Sequence, residues 1–429
     1  MAWPIILANA SVPILGLVDT AVIGQTGTAT HLAAIALAAL IFNFVYWGFG
    51  FLRMGTTGFV AQAKGAQHHE ELQALVFRSL LLGALIGIAL IIVQGPIEQL
   101  ATRWMSASEA VIQEVRVYFY VRIWGAPATL MIFSLLGIFI GLGWSHQLLI
   151  TQLLLNGLNI IFNLFFVLGM HLGVPGIALG TVVAEWLAWA VALGILLSKM
   201  KLDQPLRRLF RLWNTVFSLP RLRALFLVNA HIMVRTLALI AGFAWFANEG
   251  AKFGDSTLAA NHILLQFISL SAFFLDGYAN VAETLVGHAY GARNLPALRQ
   301  AVKRSTILAA WTALILALLF YFFGTHFTLW LTQDPQVQNI AHQFNTLAAI
   351  YIFVSFAAFQ LDGIFIGLTH TRPMRNATIL ALVIFICLSA LLTPQWGNYG
   401  LWLAFIGYVI SRAMALGAYY LPLIRQLKQ

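Results

Sequence analysis

The chain has 429 residues, of which 61% are apolar and 9% are charged, and its mean hydropathy is +0.86. This composition excludes a soluble globular enzyme, a disordered chain and a nucleic-acid-binding domain, and it predicts an all-α integral membrane protein. The net charge of +10 does not indicate a nucleic-acid partner, because the basic residues cluster in a few loops, as they do in membrane proteins.

Apolar runs that are long enough to cross a bilayer follow one another along the whole chain. A crossing helix needs about 20 residues, and twelve such runs are separated by short loops. No basic region or small-residue cleavage site accompanies the first run, so we expect a retained helix rather than a signal peptide. The predicted spans are 3–25, 32–63, 72–98, 115–143, 146–169, 175–200, 222–249, 257–290, 300–325, 338–369, 374–393 and 398–424.

The basic residues predict how these spans are oriented. With the amino terminus inside, 17 of the 24 Lys and Arg residues fall in inner loops, near the inner ends of spans or at the carboxyl terminus, and only 3 fall on the outer side. Positive charge accumulates on the cytoplasmic side of membrane proteins. We therefore expect a multi-pass protein of the cell inner (plasma) membrane with both termini in the cytoplasm.

A repeated hexapeptide divides the chain into two halves. The sequence Gly-Ile-Phe-Ile-Gly-Leu occurs at 137–142 and at 363–368, an offset of 226 residues. Six spans per half make the halves parallel repeats, and the substrate path is expected between them. The expected parts are an N-lobe of helices 1–6 over 1–200, a cytoplasmic basic linker over 201–221 and a C-lobe of helices 7–12 over 222–429.

The linker mixes arginines with large apolar residues, among them Arg207, Arg208 and Trp213. This pattern is typical of a basic amphipathic segment on the inner leaflet. A plain tether with ordinary cytoplasmic charges explains the same pattern without lipid recognition.

Apart from charges near the ends of the spans, nine acids and arginines lie within the predicted spans. An unpaired charge at the centre of a membrane helix costs about 2.5–3.5 kcal/mol, so these groups must face the interior, pair or be neutral. Five acids against four arginines leave at least one acid without its own arginine, and such an acid can carry a proton. The nine residues are Asp19, Arg53, Arg122, Glu185, Arg235, Asp276, Glu283, Asp362 and Arg412.

Judged by depth along the spans, Asp19 in helix 1 is the acid that is least well matched to an arginine. Pro13 lies six residues before it, with Gly16 between. A proline removes a backbone hydrogen bond and can kink the helix, which frees carbonyl groups beside the acid. A purely structural bend is the alternative. We expect the other eight charged residues to form a buried ion-pair network that fixes helix packing.

Two further spans carry polar residues on one face. Asn156, Asn159 and Asn163 share a face of helix 5, where they line a cavity or bond a neighbouring helix. Glu185 in helix 6 is a candidate partner for this stripe or a second proton site.

In helix 8, Asp276 and Glu283 are seven residues apart and therefore lie on one face. By depth, Arg235 in helix 7 is the expected partner of Asp276.

The chain resembles the multidrug and toxic compound extrusion (MATE) family, and within it the DinF-like branch. Residues 11–24, which run Ser-Val-Pro-Ile-Leu-Gly-Leu-Val-Asp-Thr-Ala-Val-Ile-Gly, look like helix 1 of that family. The likeness extends over essentially the whole chain. Other landmarks similar to that branch are 51–58, 275–278, 287–293 and 361–367.

The resemblance implies a MATE/MOP-type fold and a secondary antiporter. It implies that the chain exports amphipathic, often cationic, organic compounds in exchange for H⁺ or Na⁺ as two six-helix lobes alternate between inward-open and outward-open. It implies that Asp19 is the cation-coupling acid, that helix 1 bends at Pro13 when this acid is protonated, and that Asn159, Asn163 and Thr181 line the same polar chamber.

The chain departs from the family at Asn163, where many relatives end the motif Asn-x-x-x-Asp with an acid. An amide supplies no charge, and hard cations prefer charged oxygen ligands. We therefore expect H⁺ coupling at Asp19 rather than Na⁺ coupling, with the Na⁺-coupled exporter as the alternative.

Other functions agree less well with the sequence. A lipid-linked precursor flippase needs a wide basic cavity and commonly has extra helices, whereas this chain has twelve spans and a balanced interior charge set. A channel does not explain the two-fold repeat. A membrane enzyme needs a cluster of His, Asp or Ser near one membrane face, and no Walker A, zinc or nucleophile-elbow motif occurs. We expect no metal site, no cofactor beyond the coupling ion, and a monomer in the lipid bilayer.

Overall fold

A computed structural model describes residues 1–11, 28–103, 107–201 and 211–426. Within these ranges every regular element is a helix, so the predicted all-α fold class is confirmed. The chain divides into two compact units. The first comprises Trp3–Lys64 and His68–Leu225, and the second comprises Gly65–Gln67 and Phe226–Gln429.

The described α-helices of the first unit vary in length from 4 to 27 residues. A short 3₁₀ turn, Ile123–Gly125, joins α6 to α7, and a π-helical turn, Phe165–Gly169, extends α8. The helices are α1 (Ala2–Ala10), α2 (Ala29–Gly48), α3 (Phe51–Gly65), α4 (His69–Ile92), α5 (Gln94–Arg103), α6 (Glu109–Arg122), α7 (Ala126–Gly141), α8 (Ser145–Leu164), α9 (Gly173–Lys199) and α10 (Trp213–Val216).

Longer helices follow. They are α11 (Leu219–Ala251), α12 (Asp255–Gly291), α13 (Leu295–Leu331), α14 (Pro335–Gly367) and α15 (Thr371–Gln426).

Ten helical segments of the described chain are long and apolar enough to cross a membrane. The last of them, Thr371–Tyr420, is interrupted at Gly397, whose φ of 57° and ψ of −138° are not helical. This bend separates the two predicted spans 374–393 and 398–424. The first predicted span, 3–25, begins as α1 and then leaves the described residues. The structure is therefore consistent with twelve helices.

Side-chain caps fix several helix starts. The Thr28 hydroxyl accepts from the His31 backbone N–H at 3.4 Å, while the Thr28 backbone N–H donates to the His31 ring at 3.2 Å. Asp334 accepts from the backbone N–H of Gln336 at 2.8 Å at the start of α14. Such caps satisfy N–H groups that have no partner inside the helix.

The internal repeat is visible as the same close helix contact in both units. A Cβ atom added to Gly141 in α7 would lie 2.7 Å from the Thr57 carbonyl oxygen of α3. A Cβ atom added to Gly367 in α14 would lie 2.6 Å from the Glu283 carbonyl oxygen of α12. Both partners are related by the offset of 226 residues. The glycines of the hexapeptide therefore let two backbones approach closely, which explains their repetition.

Large apolar side chains cover the outer faces of the helices. On α13, Trp311 is 60% exposed, Phe322 64% and Trp330 82%. In contrast, Phe246, Trp402 and Phe405 are fully buried in the second unit, and the rings of Phe246 and Phe405 are 4.4 Å apart. Exposed apolar faces around a packed aromatic core are what a lipid environment requires.

Candidate functional site

The amide stripe of α8 is buried in the first unit. Asn156, Asn159 and Asn163 are 7%, 1% and 0% exposed. The Asn163 side-chain nitrogen donates to the Asn159 side-chain oxygen at 2.6 Å. The Gln152 amide donates to the Asn156 oxygen at 3.3 Å, which extends the stripe by one turn. The pattern of three- and four-residue steps therefore predicts one polar face, and the structure shows it.

The stripe meets the end of α1. The Asn156 side-chain nitrogen donates to the Ser11 hydroxyl at 2.7 Å, and this hydroxyl donates to the Ala8 carbonyl at 2.7 Å. Ser11 is the last described residue before 12–27, so Pro13 and Asp19 lie outside the described residues. Their predicted roles remain predictions. Ser11, which precedes them in the sequence, is hydrogen-bonded to the polar stripe.

Gly180 in α9 lies close against the stripe. A Cβ atom at this position would overlap the side-chain oxygen of Asn163 and lie 2.9 Å from the Asn163 backbone nitrogen. The next residue, Thr181, is 9% exposed and donates its hydroxyl proton to the Ile177 carbonyl at 3.0 Å. The structure therefore places Thr181 directly after the glycine that packs against Asn163.

Glu185 is held by Arg122. The two terminal guanidinium nitrogens of Arg122 donate to the two carboxylate oxygens of Glu185 at 2.7 and 2.6 Å. The guanidinium carbon lies 5.3 Å from the ring centre of Phe42 and 5.4 Å from that of Tyr46. Arg122 and Glu185 are 7% and 5% exposed. The sequence places Glu185 in the expected ion-pair network and also offers it as a partner of the amide stripe or as a second proton site. In the structure, Glu185 pairs with Arg122.

The expected pairing of Arg235 with Asp276 is wrong. Arg235 in α11 instead forms an ion pair with Asp362 in α14, and Arg412 in α15 lies 3.6 Å from the same carboxylate. Asp276 accepts from the Asn280 side chain at 3.2 Å. Depth along a helix does not fix which way a side chain points. The rotation of each helix about its axis decides which partner the side chain meets.

The remaining charged residues of the predicted network lie in α3 and α12. Arg53 is half-buried in α3, and Glu283 is 1% exposed in α12, two turns beyond Asp276.

A second buried polar network was not predicted from the sequence. Asn261 in α12 and Asn398 in α15 exchange two amide hydrogen bonds, at 2.9 and 3.1 Å. The Trp402 indole donates to the Asn261 oxygen at 2.9 Å. One feature of the sequence could have indicated this network. Asn398 directly follows Gly397, and polar groups at a helix bend need hydrogen-bond partners in an apolar environment.

Arg78, counted among the inner-loop charges, is buried in α4 and holds the linker. It donates to the Val216 carbonyl at 3.0 Å and to the Thr215 carbonyl at 2.8 Å, and these are the last carbonyls of the short helix α10. Glu71 bridges Arg78 and Arg221 by ion pairs. The described end of the linker therefore docks on the first unit, whereas residues 202–210, including Arg207 and Arg208, lie outside the described part.

No group of three or more His, Cys, Asp or Glu residues within the described ranges is arranged to hold a metal ion.

Known proteins resemble this chain over nearly all of its length. The MatE family model matches residues 4–165 and 243–391. The DNA damage-inducible protein F of Escherichia coli is 34% identical over 423 residues, which cover 97% of this chain and 90% of that protein. A probable multidrug resistance protein NorM of Acinetobacter baylyi is 26% identical over 415 residues, covering 95% and 91%.

Solved structures share the fold. The Vibrio cholerae MATE transporter VcmN in its bent form matches with a TM-score of 0.89 at 20% identity, over 100% of this chain and 96% of that chain. A MOP superfamily transporter from Pyrococcus furiosus matches with a TM-score of 0.83 at 19% identity, over 100% and 95%.

Proposed function

This chain belongs to the MatE family of membrane transporters, and we propose that it is a secondary antiporter that exports amphipathic, cationic organic compounds in exchange for H⁺. It is a multi-pass transporter rather than an enzyme, and several of its relatives are named multidrug resistance proteins.

The ion pair between Arg122 and Glu185 carries the proposal. The first lobe has two predicted membrane acids, Asp19 and Glu185, and the second of these is neutralised by two charge-assisted hydrogen bonds. Asp19 is then the acid of this lobe that is left to exchange a proton. Ser11 connects the chain that leads to Asp19 with the amide stripe at Asn156.

The amide stripe supports H⁺ rather than Na⁺ as the coupling ion. A Na⁺ site needs several oxygen ligands, and at least one of them is usually charged. Asn163 is neutral, and the side-chain oxygen of Asn159 already accepts a hydrogen bond from Asn163. A carboxyl group at position 19, in contrast, takes up a proton without further ligands.

Coupling follows from thermodynamic linkage. When protonation of Asp19 favours one orientation of the lobes and substrate binding favours the other, each ligand shifts the same two-state equilibrium in opposite directions. The two ligands therefore need not touch each other. A proton gradient then drives export of the organic compound.

The purified protein in liposomes tests the coupling ion. We load vesicles with ethidium, impose a pH gradient and a Na⁺ gradient in separate experiments, and follow dye movement by fluorescence. The pH gradient alone is expected to drive transport, and a Na⁺ gradient at constant pH is expected to have no effect. Transport driven by a Na⁺ gradient alone would establish the Na⁺-coupled exporter. Translocation of a lipid headgroup without dye transport would favour a flippase.

We also infer an inner-membrane location with both termini in the cytoplasm, and a monomeric transporter. The 17 inner basic residues against 3 outer ones support the orientation. A fluorescent protein fused to the carboxyl terminus is expected to fold and fluoresce, whereas periplasmic alkaline phosphatase at the same position is expected to be inactive. The opposite pattern would reverse the orientation.

A further inference from the structure

Two buried arginines share one carboxylate in the second unit. Arg235, Asp362 and Arg412 are 7%, 4% and 6% exposed. Oδ2 of Asp362 lies beside Nη2 of both arginines, at 3.6 Å in the case of Arg412. With both guanidinium groups charged and the carboxylate ionised, this cluster carries one excess positive charge inside the lobe.

The cluster leaves hydrogen-bonding groups unused. Arg412 has five N–H donors but donates no hydrogen bond to any residue that the structure describes. The Nε atoms of Arg235 and Arg412 and Oδ1 of Asp362 are buried without a partner among these residues. A buried charged group without partners is costly, so the arrangement indicates that something else completes it.

The neighbours of Arg412 do not supply the missing charge. Its guanidinium carbon lies 5.9 Å from the ring centre of Phe359. Tyr351 and Tyr408 are close enough to interact electrostatically with its charge. Within the described chain, Asp362 is the one acid within ion-pair distance of Arg412. The surroundings are therefore aromatic and neutral.

We propose that Arg412, together with Arg235, binds a monovalent anionic group in the second unit. The group is the carboxylate of an amphipathic compound or a free inorganic anion. A guanidinium offers a planar fork of N–H donors that matches a carboxylate, and one negative charge balances the excess charge of the cluster. The carboxylate case extends the proposed export function to compounds that carry an acidic group, whereas anion binding itself does not depend on proton coupling.

A matched pair of dyes tests the carboxylate. Rhodamine B carries a free carboxylate, and its ethyl ester is the same fluorophore without it. We measure binding of both to the purified protein in detergent by fluorescence polarisation. Arg412→Gln is expected to weaken rhodamine B binding by about 10- to 100-fold, the loss of a charge-assisted hydrogen bond, and to leave binding of the ester unchanged.

Two further variants separate binding from folding. Asp362→Asn removes the internal competitor for the arginines and is expected to strengthen rhodamine B binding, whereas a purely structural cluster predicts no gain. Arg412→Lys keeps the charge and is expected to retain part of the affinity. Size-exclusion profiles identify variants that fail to fold, and in that case the dye comparison in the unmodified protein, with rhodamine B binding more tightly than its ester, still tests the site.

Bromide distinguishes the two sources of the anion. We compare the melting temperature of the protein in sodium bromide and in sodium gluconate at equal ionic strength. Stabilisation by bromide that Arg412→Gln abolishes, without preference for rhodamine B, assigns the site to an inorganic anion and supports the proposal. Absence of both the bromide effect and the dye preference in the unmodified protein would overturn it, whether or not transport is coupled to H⁺.

Discussion

Arg122 and Glu185 bind each other through two parallel hydrogen bonds, from Nη1 to Oε2 at 2.7 Å and from Nη2 to Oε1 at 2.6 Å. Gly125, at the end of the 3₁₀ turn that follows α6, leaves room for this contact, because a Cβ atom there would overlap the Glu185 carboxylate. Both oxygens of this carboxylate are therefore engaged by a permanent cation, which compensates its charge in the buried site. This pair is the reason to place proton exchange at Asp19.

The first prediction concerns the stability of this pair. Arg122→Gln or Glu185→Gln leaves one buried charge without its partner and is expected to cost about 3–5 kcal/mol of unfolding free energy. The double variant Arg122→Met with Glu185→Met removes both charges and is expected to lose much less than the sum of the single changes. Unfolding of the purified protein in detergent measures all three. Unchanged stability of Glu185→Gln combined with lost pH-driven transport would make Glu185 a proton site after all.

The second prediction compares two glycines of α9. Gly180→Ala introduces a methyl group against Asn163 and is expected to destabilise the protein by about 1–3 kcal/mol, as overpacking does. Gly194 has open space around its Cβ position, so Gly194→Ala is expected to be neutral or to stabilise the helix by about 0.5–1 kcal/mol. Thermal unfolding of both variants provides the comparison. Equal stability of the two variants would show that α9 does not pack on the stripe as described.

The third prediction concerns the docked end of the linker. Arg78→Gln removes the donors to the Val216 and Thr215 carbonyls and the partner of Glu71, and it is expected to cost about 1–3 kcal/mol locally. Trypsin is then expected to cleave the linker faster than in the unmodified protein. Arg223→Gln, at an exposed position, is the control and is expected to leave the cleavage rate unchanged. An equal rate in all three proteins would mean that Arg78 does not hold the linker.

The fourth prediction concerns the coupling ion. Asn163→Asp places an acid at the end of the Asn-x-x-x-Asn motif and adds a charged oxygen ligand to the stripe. This variant is expected to show dye transport driven by a Na⁺ gradient at constant pH, which the unmodified protein lacks. Asn156→Asp, on the same face but bonded to Ser11, is the control without Na⁺ dependence. Sodium-driven transport in the unmodified protein would contradict the role given to Asn163.

Hydropathy and the hexapeptide predicted the helices and the repeat, because length, apolar content and small residues at close contacts are local properties of the sequence. The partners of charged residues were not predictable in the same way. Arg235 pairs with Asp362 rather than Asp276 because the rotation of each helix decides where its side chain points.

Polar contacts across long sequence separations were also missed. The Asn261–Asn398 pair spans 137 residues, and no local pattern links the two positions. Periodicity did predict the α8 stripe, since Asn156, Asn159 and Asn163 repeat at helical spacing on a single helix. Tertiary packing of the repeat units, and not local propensity, therefore sets the identity of each buried partner.

The most direct measurement is pH-gradient-driven efflux by Asp19→Asn in liposomes. Asparagine has the size of aspartate but binds no proton, so this variant is expected to insert and bind ethidium while it loses transport driven by the pH gradient. Asp255→Asn, the same change at an exposed position, is expected to transport like the unmodified protein. Full pH-driven efflux by Asp19→Asn would show that the coupling proton is carried elsewhere.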